Sequence, residues 1–428
     1  MGELKRWLEF TMLSLNGTDS LKQEQGFTRL GFSKEEKLAH EQFRQIASSL
    51  GLKTWQDAVG NQWALWEVDN EAPTIGMGSH LDTVVNGGAF DGVSGIACAL
   101  GAIRELKRKK IKPQKNIAVI CFICEESARF GISTIGSKTL IGAVDKDRWE
   151  TITDQNNITI RQAMEEYGIN WHSFQEAYCD DHRLECFIEL HIEQGSQLYK
   201  NRKEIGIVSG IATPIRLKVV AKGKTNHTGT TLMNERKDAL VAIAPLINFV
   251  HEKAMEVHQS SKVPFVATVS TVNVVPNVMN VIPGKVELGI DIRSVNDALK
   301  RDFAASIFAF CKQLEAEHAV EINIETLVEE YSVMLDEKMQ EELSEVCDRL
   351  GLSYCTMYSG AGHDVMNMAK RWPSALLFIP SVNGISHHPE EYTPLEFLEK
   401  GVHVLATYLE RKAGTAGKGN DSMVEDID

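Results

Sequence analysis

Between residues 72 and 124 the chain carries two short apolar runs with one segment of helical spacing between them. The runs at 72–79 and 116–124 have strand length. The segment 92–109 places Val93, Ile96, Ala97, Leu100, Ile103 and Leu106 on one helical face. A strand, a crossover helix and a second strand pair in parallel, because a crossover of that length carries the chain back to its starting end. Further apolar runs at 183–190 and 374–379 read as two more strands of the same sheet. The expectation is an α/β fold: a mixed, mainly parallel sheet with helices on both faces. Residues 1–60 read as helical, with a loop near Asn16 and Gly17. Leu38, Phe43, Ile46 and Leu50 are read as one face, and Gly51 as the cap.

The stretch from about 211 to 330 has a different character. Ile215, Leu217 and Val219 alternate with polar neighbours, and a helical segment follows at 238–258. Strands at 263–274 and 285–292, a helix at 298–318 and a strand marked by Val320, Ile322 and Ile324 complete the order β-α-β-β-α-β. That order predicts a ferredoxin-like α+β domain inserted into the first. The expected organisation is a catalytic domain at 1–211, an inserted lid and dimerisation domain at 212–329, the rest of the catalytic domain at 330–412, and a disordered tail at 413–428.

Composition narrows the function. A length of 428 residues suggests two domains. The formal net charge of −14 argues against nucleic acid and anionic membrane as partners. No apolar run approaches the roughly 20 residues of a membrane span, and the opening MGELKRWLEF lacks a signal-peptide core. The eight cysteines are scattered, which points to a reducing cytoplasm. Cys121 and Cys124 form a CxxC, but inside the apolar run IAVICFIC they read as small buried residues without redox function.

The chemistry gathers where the strands end. His80 and Asp82 close one strand and Asp91 precedes the first long helix. Glu125 and Glu126 close the second strand, His191 closes another, and His387 and His388 follow the last. Any one of these is commonplace: HxD often marks a turn, and adjacent Glu residues often mark a solvated face. Four strand ends carrying such residues at once is different, because parallel strands bring their carboxyl ends together and ligands bind there. His, Asp and Glu without Cys suit two divalent ions such as Zn, Mn, Co or Ni. A carboxylate can bridge the ions. One of Glu125 and Glu126 could ligate while the other serves as base, and Asp82 could orient His80.

These segments also resemble a known family. GSHLDTVVNGGAFDG, EES-ARF, HIEQG, NHTGTT, NVIPG with DIRS, SGAGHD and NGISHHPEE, in this order from about Gly26 to Leu409, resemble the carbamoylase branch of the dinuclear-metal M20 aminoacylase and peptidase family. The resemblance implies that His80, Asp91 and His191 bind one metal, and that Asp91, Glu126 and His387 bind the other. It further implies that Asp91 bridges, that Glu125 is the general acid/base, and that Asp82 supports His80. His388 matches no ligand position, and His363 and Asp364 fit a supporting place better than a ligand place.

For the inserted domain the resemblance implies a lid that also forms the dimer contact. There His227 would stabilise an oxyanion and reach the partner subunit's site. Asn280 and Arg293 would bind a substrate carboxylate, with Gln194 and the Gly360–Ala361 backbone as further contacts. Read without the resemblance, Arg293 is equally a surface ion pair and Asn280 a turn residue. The sequence departs from the family pattern in the lid loop, where Leu232 follows Thr231 and the usual proline is absent. The implied activity is hydrolysis of a ureido C–N bond on a small carboxylate-bearing substrate. Allantoate is the first choice, in purine catabolism, and an N-carbamoyl-L-amino acid or β-ureidopropionate the alternative. A dipeptidase or aminoacylase activity, or a non-catalytic binding protein, ranks below these.

Overall fold

In a computed structural model of the chain, residues 2–179 and 183–414 are described; the tail read at 413–428 lies outside them beyond residue 414. The chain divides into two units. One takes the chain up to Ser209, Leu335–Met357 and the chain from His363 onward. The other takes Gly210–Met334 together with Tyr358–Gly362. The five residues 358–362, read from sequence with the catalytic domain, thus cluster with the inserted unit.

The first unit is built on a sheet whose four middle strands lie in the order Asn116–Phe122, Thr74–His80, Leu184–Ile192, Ser374–Ile379. All three pairings among them are parallel. The flanks are antiparallel: Gln62–Trp66 joins one side and Ile205–Ile211 the other. The middle strands are buried on both faces. Ile75, Met77, Ile117, Val119, Ile188 and Leu377 meet the helices Glu3–Asn16, Val93–Arg108 and Leu395–Lys412 in one core. Their neighbours Ala118, Ile120, Phe122, Phe187 and Phe378 are buried on the opposite side. Burial on both faces explains why these strands read as continuous apolar runs without alternation. A second cluster, around Ile123, Ile160, Met164, Trp171 and Phe174, packs under the chain that follows Phe122.

The second unit has a four-stranded antiparallel sheet in the order Glu321–Glu329, Thr213–Lys222, Lys285–Ser294, Phe265–Val275. Its two 22-residue helices, Ala239–Ser260 and Asp297–His318, pack together over the sheet's buried face. This is the ferredoxin-like arrangement that the order of elements predicts. Inside this unit the fully buried Lys300 donates to the carbonyls of Thr213 (2.9 Å) and Glu330 (3.0 Å), and pairs with Asp297 at 2.9 Å. It thereby ties the unit's first and last strands together.

Three local expectations need correction. Residues 1–60 are not helical throughout: between the helices Glu3–Asn16 and Lys34–Ser49 the chain is irregular, and Lys53–Gln56 is a strand. Leu38 is 61% exposed and does not share the face of Phe43. Five residues correspond to about 140° around a helix, and the buried face runs through Glu36, Ala39, His40, Phe43 and Ala47 instead. The run at 116–124 stops being a strand at Phe122, and Cys124 turns into the left-handed region with φ 50°.

Candidate metal centre

The four parallel strands end on the same side, and the chemistry collects there. His80 is the last residue of its strand, His191 lies next to the end of its own, and Glu125 and Glu126 follow Phe122 by a short turn. Asp91 lies between them in the loop that leads into the helix Val93–Arg108. Its Oδ1 is 3.3 Å from His80 Nε2 and 3.0 Å from His191 Nε2. Its Oδ2 is 3.3 Å from His387 Nε2, and that nitrogen is 3.3 Å from Glu126 Oε1. Two groups result, His80–Asp91–His191 and Asp91–Glu126–His387, and within each the ligand atoms lie within 4.8 Å of one another. Asp91 belongs to both and offers one oxygen to each. Glu125 stands aside, with Oε2 3.9 Å from His80 Nε2.

The donor set fits divalent ions with mixed nitrogen and oxygen ligation. The imidazoles are oriented for it. His80 Nδ1 lies 3.0 Å from the carbonyl of Asp82, and His191 Nδ1 lies 2.8 Å from the carbonyl of Ile192. Each ring thus donates its Nδ1–H to the backbone and turns Nε2 toward Asp91, the arrangement that ligating histidines adopt. Gly92 makes the approach possible. Its φ is +65°, and a Cβ there would sit 2.5 Å from the His80 ring.

The backbone that presents Glu125 and Glu126 is held by buried side chains. Asn61 Oδ1 accepts the N–H of Ile123 at 3.0 Å, and Glu36 Oε1 accepts that of Cys124 at 2.8 Å. Asp82 accepts the next two N–H groups, from Glu125 at 3.0 Å and Glu126 at 2.9 Å. Four successive amides are therefore fixed by three side chains. Arg29, also buried, places its positive charge near both Asp82 and Glu36 and donates to the Leu81 carbonyl. Asp82 also approaches His80 Nδ1 at 3.4 Å.

Electrostatics divides the two glutamates from the aspartate. Burial pushes the Glu125 carboxyl well above its usual range, and Glu126, Asp364 and Asp82 add to the effect while His80 opposes it. Glu126 is raised as well, mainly by burial. Asp91 is buried too, but His191, His387 and His80 around it outweigh that and hold it well below the usual range. Hydrogen bonds to Asp91 and Glu126 push His387 up to about 11.

The other residues singled out from sequence take these places. Gln194 donates from Nε2 to Asp91 Oδ2 at 2.6 Å and lies 3.3 Å from His387 Nε2, so it joins the cluster directly. His388 is exposed and accepts the N–H of Glu390. His363 is buried against His191, with ring centroids 4.5 Å apart, and Asp364 accepts from Ser137 at 2.5 Å. In the second unit His227 and Asn280 come together: Val281 pairs with His227, and the Asn280 carbonyl accepts from Thr228 at 3.1 Å. Arg293 pairs with Asp291 at 2.7 Å and donates to the Gly360 carbonyl at 2.9 Å, while Ala361 turns back onto Ser359.

Residues 76–411 match the Peptidase family M20/M25/M40. The chain belongs to the M20/M25/M40 peptidase family. It is 36% identical over 385 residues to "Allantoate amidohydrolase" of Escherichia coli strain K12, covering 90% of this chain and 92% of that one. It is 33% identical over 381 residues to "N-carbamoyl-L-amino-acid amidohydrolase" of Paenarthrobacter aurescens, covering 89% and 92%. Among solved structures, a hydantoinase/carbamoylase family amidase from Burkholderia multivorans superposes with a TM-score of 0.84 at 27% identity, over 96% of this chain and 98% of that one. This M20 chain is thus an amidohydrolase, an enzyme that hydrolyses C–N bonds.

Glu36, Asn61, Ser386 and Glu391 around the M20 centre are not marked in the sequence. Glu36 follows Ser33 in the S-x-x-E pattern of a capping box, and Ser33 does cap the helix by accepting from Glu36 N at 3.1 Å. The Glu36 carboxylate, however, serves Phe32 and Cys124.

Proposed function

We propose that the protein is a metal-dependent amidohydrolase that cleaves the carbamoyl C–N bond of a small ureido acid, with allantoate as its substrate. The observation that carries this reading is Asp91, shared between a His80–His191 side and a Glu126–His387 side, with Glu125 beside His80 and outside both groups. The proposed complement is two divalent ions per subunit, drawn from Zn, Mn, Co or Ni. His80, Asp91 and His191 hold one, and Asp91, Glu126 and His387 the other. When bound, such a pair supplies Lewis acidity, which makes water more acidic and draws charge from a substrate carbonyl oxygen.

The chain's own residues supply the rest. Glu125 takes the proton of the attacking water at its carboxylate and passes it to the nitrogen that leaves. A carboxyl raised by burial is suited to hold that proton between the two events. Water adds to the carbamoyl carbon, the C–N bond to the amine breaks, and the released carbamate decomposes to ammonia and carbon dioxide. For allantoate the remaining product is ureidoglycine. Asp82 fixes the peptide from which Glu125 projects. In the second unit, His227 donates to the oxygen that gains charge, Arg293 offers the substrate carboxylate the N–H groups that Asp291 and the Gly360 carbonyl leave over, and Asn280 and the Gly360–Ala361 backbone add hydrogen bonds. Gln194, beside Asp91 and His387, is a further proposed contact.

The second reading is an N-carbamoyl-L-amino acid or β-ureidopropionate as substrate. It is favoured by the Paenarthrobacter aurescens relative, whose identity is within a few percent of that of the Escherichia coli one. A non-catalytic role fits poorly, because Glu125 and all five ligand candidates are present together. A homodimer through the second unit is part of the proposal. Phe265–Val275 is an edge strand with Val266, Val272 and Val275 exposed, a surface that invites pairing. A site in the cytoplasm and in purine catabolism completes it, and no helix among the described residues is long and apolar enough to cross a membrane.

The test is ammonia release by the manganese-loaded protein across a panel of ureido acids. Release from allantoate, well above that from N-carbamoyl amino acids and β-ureidopropionate, is the expected result. Turnover confined to N-carbamoyl amino acids moves the substrate to the second reading, and no turnover on any ureido acid rejects the carbamoylase assignment.

A further inference from the structure

Glu391 is 3% exposed and carries no ligand role, yet it touches both loops of the cluster. Its Oε1 accepts the N–H of Phe90 at 3.0 Å and of Asp91 at 2.9 Å. Its Oε2 accepts the Ser386 hydroxyl at 2.7 Å and the N–H of His387 at 3.3 Å. The same Ser386 oxygen lies 3.1 Å from Asp91 Oδ2. One buried carboxylate thus joins two loops about 300 residues apart and holds the peptides of Asp91 and His387 in register. The approach is close: a Cβ on Gly88 would lie 2.3 Å from the Glu391 Cβ and Oε1.

The two halves of the cluster depend on this clamp unequally. His80 and His191 stand at the ends of paired strands, and each ring is fixed by a backbone carbonyl. His387 lies in a loop eight residues past the end of its strand at Ile379, in the left-handed region at φ 56°. Its peptide is held to the Asp91 loop by Glu391.

We propose that Glu391 is the positioning residue that builds the second metal group, Asp91–Glu126–His387, by locking the His387 loop onto the Asp91 loop. The proposal rests on the two-ion reading above. Glu391 touches neither ion nor substrate in this role and acts through the two peptides and Ser386. An amide in its place keeps its one acceptor oxygen on the peptide N–H groups of Phe90 and Asp91, because the Ser386 hydroxyl can turn to accept from N–H₂ and those peptides cannot, so the His387 N–H loses its anchor.

The experiment is calorimetric titration of chelator-stripped protein with manganese, for the wild type, Glu391→Gln and Ser386→Ala. The wild type is expected to bind two ions. Glu391→Gln should retain the tighter ion at wild-type affinity and bind the second about 10–100-fold more weakly, the usual cost of losing a group that orients ligands. Ser386→Ala should weaken the same ion by less. In steady-state assays, raising manganese should return kcat of Glu391→Gln toward the wild-type value with KM unchanged, which metal cannot do for general damage to the fold. Equal weakening of both ions, unchanged binding of both, or loss of activity that manganese does not restore would overturn the proposal. If Glu391→Gln does not fold, unchanged binding of both ions by Ser386→Ala overturns it in the same way. A wild type that binds a single ion removes the two-ion reading and this inference with it. A wild type that binds two, with Glu391→Gln identical, removes only this inference.

Discussion

Asp82 holds Glu125 by its peptide: the Glu125 N–H donates to Asp82 Oδ1 at 3.0 Å, while the Glu125 carboxylate lies 3.9 Å from His80 Nε2. The other Asp82 oxygen takes the N–H of Glu126 at 2.9 Å. Replacing Asp82 by Asn presents an N–H₂ to one of those donors, so either Glu125 or Glu126 loses its anchor. Asp82→Asn is expected to lower kcat by about 10–100-fold while the protein stays folded. Metal content by elemental analysis, set beside kcat, tells which glutamate moves: metal is retained if Glu125 swings and lost if Glu126 does.

Glu125→Gln separates proton transfer from metal binding. The side chain keeps its size and its peptide contacts. Metal content should match the wild type while kcat falls by about 10²–10⁴-fold, the usual contribution of a positioned general base. Chelation should give the opposite pattern, with activity lost along with the ions and recovered when they are returned. Unchanged turnover in Glu125→Gln would assign the base elsewhere.

His40 predicts a pH dependence of stability. The ring is fully buried with Nδ1 2.7 Å from the Tyr167 hydroxyl, and its Nε2 has no partner among the described residues. Burial lowers its pKa to about 3 from an ordinary value of 6.5; nearby Arg44 and Arg29 act in the same direction, and Asp82 opposes them. Above pH 6.5 the ring is neutral in both states and contributes no slope. Below pH 6.5 the unfolded chain takes up a proton that the folded chain refuses, so stability falls on acidification by about 1.4 kcal/mol per pH unit. Buried carboxyls such as Asp57, raised to about 6, act in the opposite sense, so the His40 contribution is read as the difference between wild type and His40→Gln in urea unfolding from pH 7 to 5, about one proton in slope. Equal slopes would place the acid sensitivity in other groups.

Glu36→Gln should destabilise the fold. Its two oxygens accept from Phe32 at 2.5 Å and Cys124 at 2.8 Å, and an amide can serve only one of them. An orphaned buried donor costs about 1–3 kcal/mol. The variant should unfold at lower urea with an unchanged m-value, and Glu36→Ala at lower urea still.

The ligand candidates can be read in the sequence because strand ends announce themselves. His80, Glu125, Glu126 and His191 each close an apolar run, and only parallel pairing is needed to bring them together. Asp91 needed one step more, since it is recognised by lying before a helix whose glycine N-cap, Gly92, lets it approach His80. Glu36, Asn61 and Glu391 could not be read, because they act on peptide N–H groups, and a peptide N–H is the same at every residue. Glu391 sits beside Glu390, Glu36 beside Glu35, and nothing in the letters tells the buried member from the solvated one. The strand Gln62–Trp66 escaped for a different reason: its five residues, two of them tryptophan, show no alternation.

The strand Ser374–Ile379 follows both of its neighbours in the chain yet lies in the interior of the sheet, between Leu184–Ile192 and Ile205–Ile211. A growing or truncated chain that stops before it has a gap at the centre of its main sheet. Such a chain already contains His80, Asp91, Glu126 and His191 but lacks His387 and the Glu391 clamp. The full set of candidate ligands therefore assembles only in a chain whose strand Ser374–Ile379 has entered the sheet.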